Sequence, residues 1–159
     1  SFLRRGSRAI VAALAIIAGH GVACRSTPPL PPADLSAAGW RVQQGQALWK
    51  PTRRRPELAG ELLLATNATG DFFVQFAKTP FPLATARVDR GQWQIEFGAG
   101  DYRRRGRGQP PARFVWFQLR GALSGEAVRE PWRFHRVETN TWRLENRETG
   151  ESLEGGFAP

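Results

Sequence analysis

Cysteine occurs once in this chain of 159 residues, tyrosine once, and lysine and histidine twice each. A single thiol excludes a disulfide framework and a zinc cluster built on several thiolates. Two histidines, His20 and His135, leave little for metal or triad chemistry. His135 alternates with Phe134 on a predicted strand and has no partner histidine, so it reads as a surface or hydrogen-bonded side chain. The composition therefore points away from an enzyme, and no cofactor or metal is expected. Long hydrophobic runs are also missing. The longest, Ala9 to Ala18, has ten residues, against the ~20 that a bilayer-spanning helix needs. What the chain does have is core material: 41% of its residues are hydrophobic and 11% aromatic. That is enough for one domain which folds without cross-links.

The charge is of one sign and almost of one residue type. Arginine occurs 21 times against two lysines, Lys50 and Lys78, and the net charge is +9. Such a chain is attracted to polyanions, either nucleic acid or an anionic membrane face. A GC-rich coding bias that exchanges lysine for arginine produces the same composition. Two short runs stand out: Arg53, Arg54 and Arg55, and then Arg103, Arg104, Arg105 and Arg107 around Gly106. Elsewhere the arginines alternate with glutamates, whereas a dedicated nucleic-acid binder gathers its charge on one element. Contact with anionic head groups is the better functional expectation for the two runs, and nucleic acid is not expected as a partner.

The N-terminus reads as a targeting segment. Residues 1–8 carry three arginines and no acid, and the apolar run Ala9–Ala18 has the length of a signal-peptide core. Gly21, Val22 and Ala23 then lead directly into Cys24. This resembles a bacterial lipobox, in which the cysteine is acylated and becomes the first residue of the mature protein. Gly-Val-Ala also suits ordinary secretory cleavage, and a third reading makes Cys24 a small buried hydrophobe. If Cys24 is lipidated, several acyl chains hold the protein stably to a bilayer. By resemblance to Gram-negative lipoproteins, Arg25 in place of aspartate implies sorting to the outer membrane, facing the periplasm. From residue 24 to residue 38 the chain is a tether. Pro28, Pro29, Pro31 and Pro32 keep it extended and out of any helix or sheet.

Residues 39–159 read as one mainly β domain. Trp40, Val42, Ala47 and Trp49 space out a first strand with a predicted bulge at Gly45. Strands follow at residues 61–65 and 71–77, where Phe72, Val74 and Phe76 share a face by period two. Another is expected at residues 81–88, then a turn at Asp89–Gly91. The clearest alternation runs from Gln92 to Phe97: Trp93, Ile95 and Phe97 face in, while Gln92, Gln94 and Glu96 face water. Residues 98–109 are expected to form a polar loop. Pro110 and Pro111 precede a helix at residues 112–123, where Val115, Leu119 and Ala122 follow helical spacing; a buried strand at 114–119 is the alternative. Strands at 132–137, 142–146 and 152–157 close the chain. The expected architecture is a curved antiparallel sheet, an unclosed half-barrel with an inserted helix near residues 112–123.

These segments resemble the Lol lipoprotein-localisation family (the LolA/LolB-like fold), and most nearly its outer-membrane receptor branch. The likeness runs from Glu61 through Phe97, with two strands followed by Lys78-Thr79-Pro80-Phe81-Pro82-Leu83, where the family has a proline and then an exposed apolar residue. It continues in the helical segment ending Gly121-Ala122-Leu123 and in the strand around Trp142. The resemblance implies lipid acyl chains or lipoprotein cargo as ligand, a soluble periplasmic carrier as donor, and Phe81 as the membrane-inserting residue. Six tryptophans, Trp40, Trp49, Trp93, Trp116, Trp132 and Trp142, are more than a small sheet needs for close packing. Some are expected to line an acyl-chain groove. Two readings stand: a lipid-handling receptor with such a groove, and a membrane-anchored lipoprotein whose sheet packs its own aromatics while its arginines bind an anionic polymer or partner protein.

Overall fold

The computed structural model describes residues 28–98 and 100–159. The expected signal peptide and the lipidation candidate Cys24 lie outside the described residues. Within them the elements run β1 (Arg41–Lys50), β2 (Leu58–Thr66), β3 (Phe72–Lys78), β4 (Phe81–Asp89), β5 (Gln92–Phe97) and β6 (Tyr102–Arg107). The helix α1 (Val115–Ser124) follows, then β7 (Trp132–Arg136), β8 (Thr141–Asn146) and β9 (Ser152–Phe157). All the strands join one antiparallel sheet in the order β6-β5-β4-β3-β2-β1-β9-β8-β7. The two outer strands, β6 and β7, do not pair with each other, so the curved sheet stays unclosed. The mainly β half-barrel with one inserted helix is the architecture that the alternating patterns predict.

Period-two alternation decides which face each side chain occupies. Leu62 and Leu64 of β2, Phe72, Val74 and Phe76 of β3, and Ile95 of β5 point to the concave face and are buried. The helix lies across that face and buries Val115, Trp116, Phe117, Leu119 and Ala122. Where it crosses β4 the sheet offers Ala84 and Ala86, both buried and small enough to let the helix approach. The helix begins three residues later than the spacing predicts. Pro110 and Pro111 precede it rather than occupy its first turn, and Phe114 takes the N-cap position with extended backbone. Its C-terminus stops at Gly125, whose left-handed backbone returns its N–H to the Ala122 carbonyl.

Four local expectations are corrected. Gly45 carries no bulge: β1 pairs without a break to β2 and to β9, with Gly45 opposite Leu62 and Phe157. The glycine serves a close approach instead, since a Cβ there would stand 1.9 Å from the Gly156 carbonyl oxygen. Residues 102–107 are not loop but the edge strand β6, paired to β5 along its length. Gln94 does not face water; it is 7% exposed, because the proline-rich segment lies over it. That segment is therefore no free tether over its described part. The Leu30 N–H donates to Gln94 Oε1 at 2.9 Å, and the Arg87 guanidinium donates to the Pro31 carbonyl. Burial lowers the Arg87 pKa below its ordinary range, while Asp89 at 3.5 Å favours its charged form.

Antiparallel pairing gives the sheet two distinct ends. One carries the β1–β2 loop and the β3–β4, β5–β6 and β8–β9 turns. The other carries the start of β1, the β2–β3, β4–β5 and β7–β8 turns, and the end of β9.

Candidate functional site

The first of these ends brings together Phe81 and the first arginine run. Strands β3 and β4 are joined through Thr79 and Pro80, and Phe81 opens β4 directly opposite Lys78. Prolines on both sides of Phe81 cannot donate to a ladder, so the hairpin tip carries little further pairing. Phe81 is 67% exposed, the most exposed of the large hydrophobic side chains described. A phenyl ring so far from the core loses contact with water only by entering something else.

The basic loop stands at the same end. Arg53, Arg54 and Arg55 are exposed in the β1–β2 loop. Arg53 is fixed there: its Nη2 donates to the Arg147 carbonyl at 2.8 Å, and its N–H donates to the Thr149 carbonyl. Its side chain crosses Gly150, where a Cβ would collide with it. The second run does not join them as a cluster. On β6, Arg103 pairs with Glu96 at 2.6 Å, Arg104 stacks over the Tyr102 ring at 5.7 Å, and Arg105 and Arg107 occur at alternate positions beyond them. Strand geometry divides that run between two faces.

The tryptophans divide as well. Trp116, Trp132 and Trp142 are buried within the core, and the Trp132 indole N–H donates to the Ala112 carbonyl at 2.6 Å. The indole nitrogens of Trp116 and Trp142 have no hydrogen-bond partner among the described residues. Trp49 and Trp93 are half-buried against the helix. The Trp49 ring lies 5.2 Å from Trp116 and stacks on Phe97 at 5.8 Å, while Trp93 meets Phe117 edge-on. Trp40 stands apart, beside Pro31 and Phe73 and away from the helix. The concave face is thus filled by aromatic rings in mutual contact under α1. Of the six tryptophans, Trp116, Trp132 and Trp142 are taken up wholly by packing between the helix and the sheet.

Glu151, in the β8–β9 turn, accepts the Trp49 indole N–H at 3.0 Å. Burial pushes its carboxyl pKa up from the ordinary 4.5 to about 7, while the indole hydrogen bond opposes the rise. A carboxyl with a raised folded-state pKa binds its proton more tightly in the folded chain. Stability therefore falls as pH rises from 4.5 to about 7 and levels off above that. Glu151→Gln keeps an acceptor for Trp49 and removes the titration. The difference in unfolding temperature between variant and parent is expected to change by roughly 5 °C between acid and neutral pH. Thermal unfolding across that range checks it, and parallel curves for the two proteins would refute the assignment.

Among the described residues no helix is long and apolar enough to cross a membrane, and no group of His, Cys, Asp and Glu side chains is arranged to hold a metal ion. Glu126 and Glu130 are exposed, as expected of surface charges. No family model matches this chain, and no curated protein matches its sequence.

Proposed function

We propose that this protein is an outer-membrane lipoprotein that receives acyl-chain cargo, lipid or lipoprotein, from a soluble periplasmic carrier and inserts it into the bilayer. The observation that carries this reading is the placement of Phe81. It projects from a hairpin tip at the end of the sheet that also presents Arg53, Arg54 and Arg55. An apolar side chain beside cations suits a membrane interface: the ring enters the acyl region and the guanidinium groups meet anionic head groups, at ~1 kcal/mol per arginine. The docked proline-rich segment supports the same orientation. Asp34 lines a cleft with Asp89, and Leu30 lies on Gln94, so the chain traced toward its N-terminus leaves the β4–β5 turn behind. With the aromatic core closed, cargo enters between α1 and the sheet by lifting the helix, at the edge where Phe97, Tyr102 and Phe114 meet. The reaction has no covalent step and uses no cofactor.

The test is transfer of a fluorescent diacylated lipopeptide from a detergent-free donor to liposomes. Saturable, protein-dependent transfer is expected, and none at all would refute the reading. Anchoring through Cys24 is tested separately: Cys24→Ser should release the protein from salt-washed membranes, and a variant that still sediments with them defeats the lipobox reading.

One observation favours the second reading, a membrane-anchored binding or scaffold lipoprotein. The rings of Trp49, Phe76 and Trp116 touch across the concave face where a receptor would keep space for chains. Native mass spectrometry of protein extracted from membranes separates the two, because a receptor carries bound lipid and a scaffold does not.

A further inference from the structure

The sheet's other end holds a second feature, independent of the delivery reading. A cleft of about 650 Å³ opens there between the C-terminal half of α1 and the β1–β9–β8 part of the sheet. Three arginines from three different elements reach it: Arg41 at the start of β1, Arg120 on the helix and Arg136 at the end of β7. Arg41 and Arg136 occupy positions of concave-face parity. Arg136 is directly opposite Trp142, and Arg41 is two residues from Gln43, which pairs with the buried Leu64. Sheet geometry therefore brings their charge to the cleft and not to the outer surface.

The arginines here differ from three others on the sheet that are paired with carboxylates. Arg143 bonds Glu154 at 2.9 Å, Arg103 bonds Glu96 at 2.6 Å, and Arg87 lies 3.5 Å from Asp89. Among the described residues Arg41, Arg120 and Arg136 have no carboxylate partner, and the cleft lining contains no Asp or Glu side chain. Glu138, the nearest acid along the chain, is exposed in the β7–β8 turn and does not line the cleft, while Glu126 accepts from Ser124 and lines a neighbouring cleft that Arg120 also borders. Behind the cations the wall turns apolar. Leu64 and Leu123 lie there with Trp142 and Phe157, whose rings are 6.1 Å apart.

We propose that this cleft binds a phosphate-headed, single-chain amphiphile, with the phosphate held by Arg41, Arg120 and Arg136 and the alkyl chain laid on Leu64, Trp142 and Phe157. Charge complementarity selects the head. Guanidinium groups present forked donors that match phosphate oxygens, and three of them suit a head with more than one charge better than a carboxylate. The volume lies within the ~300–1,000 Å³ of small-ligand pockets, which admits one chain with its head. The apolar wall favours a chain whose methylenes it removes from water.

The experiment is calorimetric titration of the full chain, in detergent-free buffer, with octyl phosphate below its micelle concentration. Saturable binding with one site is expected. The triple variant R41Q/R120Q/R136Q should bind at least tenfold more weakly, while R90Q/R133Q/R143Q, which loses the same charge outside the cleft, should stay within twofold of the parent. Octyl glucoside and inorganic phosphate should each bind at least tenfold more weakly than octyl phosphate, the first lacking the charge and the second the chain. Equal weakening by both triple variants, equal binding of either control compound, or no saturable binding would overturn the proposal. If the first triple variant does not fold, Arg136→Gln alone is measured: a threefold or greater loss supports the site, and an unchanged affinity refutes it.

Discussion

Phe81→Glu is expected to abolish delivery of acylated cargo to membranes while leaving the unfolding temperature within about 2 °C of the parent. The side chain is 67% exposed at the start of β4, so its replacement removes little buried area. The new carboxylate would also stand opposite Lys78 in the closing pair of the hairpin, a favourable cross-strand arrangement. In a bilayer the balance reverses, because an ionised side chain entering hydrocarbon costs about 2.5 kcal/mol or more. Phe81→Leu keeps an apolar tip and should retain most of the delivery. The readouts are thermal unfolding and transfer of labelled lipopeptide to liposomes. Normal transfer by the glutamate variant, or a fall of ten degrees in its unfolding temperature, would defeat the role assigned to this ring.

The largest effect on stability is expected from the smallest change, Gly45→Ala. A methyl group at that position would lie 1.9 Å from the Gly156 carbonyl oxygen and 2.8 Å from backbone carbon. Neither contact is relieved by rotating a side chain, so β1 and β9 must part. Overpacking of a core typically costs 1–3 kcal/mol where side chains can yield; here backbone must yield, and a loss of about 3 kcal/mol or more is expected. Denaturant unfolding measures it. Gly91→Ala provides the contrast, since a Cβ there meets nothing within 4 Å and the strain is confined to its positive φ. If Gly45→Ala proves as stable as the parent, the strands do not approach as described.

How much of this was legible in the sequence follows from where side-chain alternation is regular. Gln92–Phe97 alternates without interruption and Phe72, Val74 and Phe76 recur with period two, and both are strands with the predicted faces inward. Strand β6 was missed because Tyr102–Arg107 alternates nothing apolar: arginines occupy both faces, and the space over Trp93 is filled by Gly106. On β1 a register slip came from reading Gly45 as a bulge, which placed Trp40 and Val42 on the face of Ala47 and Trp49. Continuous pairing puts Arg41 and Gln43 there instead. That slip also hid the basic cleft. An arginine at an inward position is its only trace in the sequence, and Arg136, two residues beyond Phe134, is the same signal on β7. The burial of Gln94 was not legible locally, since the segment that covers it lies more than sixty residues away.

The order of strands in the sheet has a kinetic consequence. Strands β1 to β6 form a meander of neighbours, and each hairpin can close as soon as its two strands exist. The β7–β9 meander can form in the same local way. The two halves meet only where the first strand pairs with the last, Ala47 against Gly155 and Trp49 against Leu153. Loop closure across the whole domain must precede that single seam, which places it late and makes it slow relative to the hairpins. Until it closes, β1 and β9 each present an open ladder edge, the kind of surface that pairs with other chains. The longest-lived vulnerable edge of this chain thus becomes an inner seam of the finished sheet, where a chaperone that binds open strands would find the most to protect.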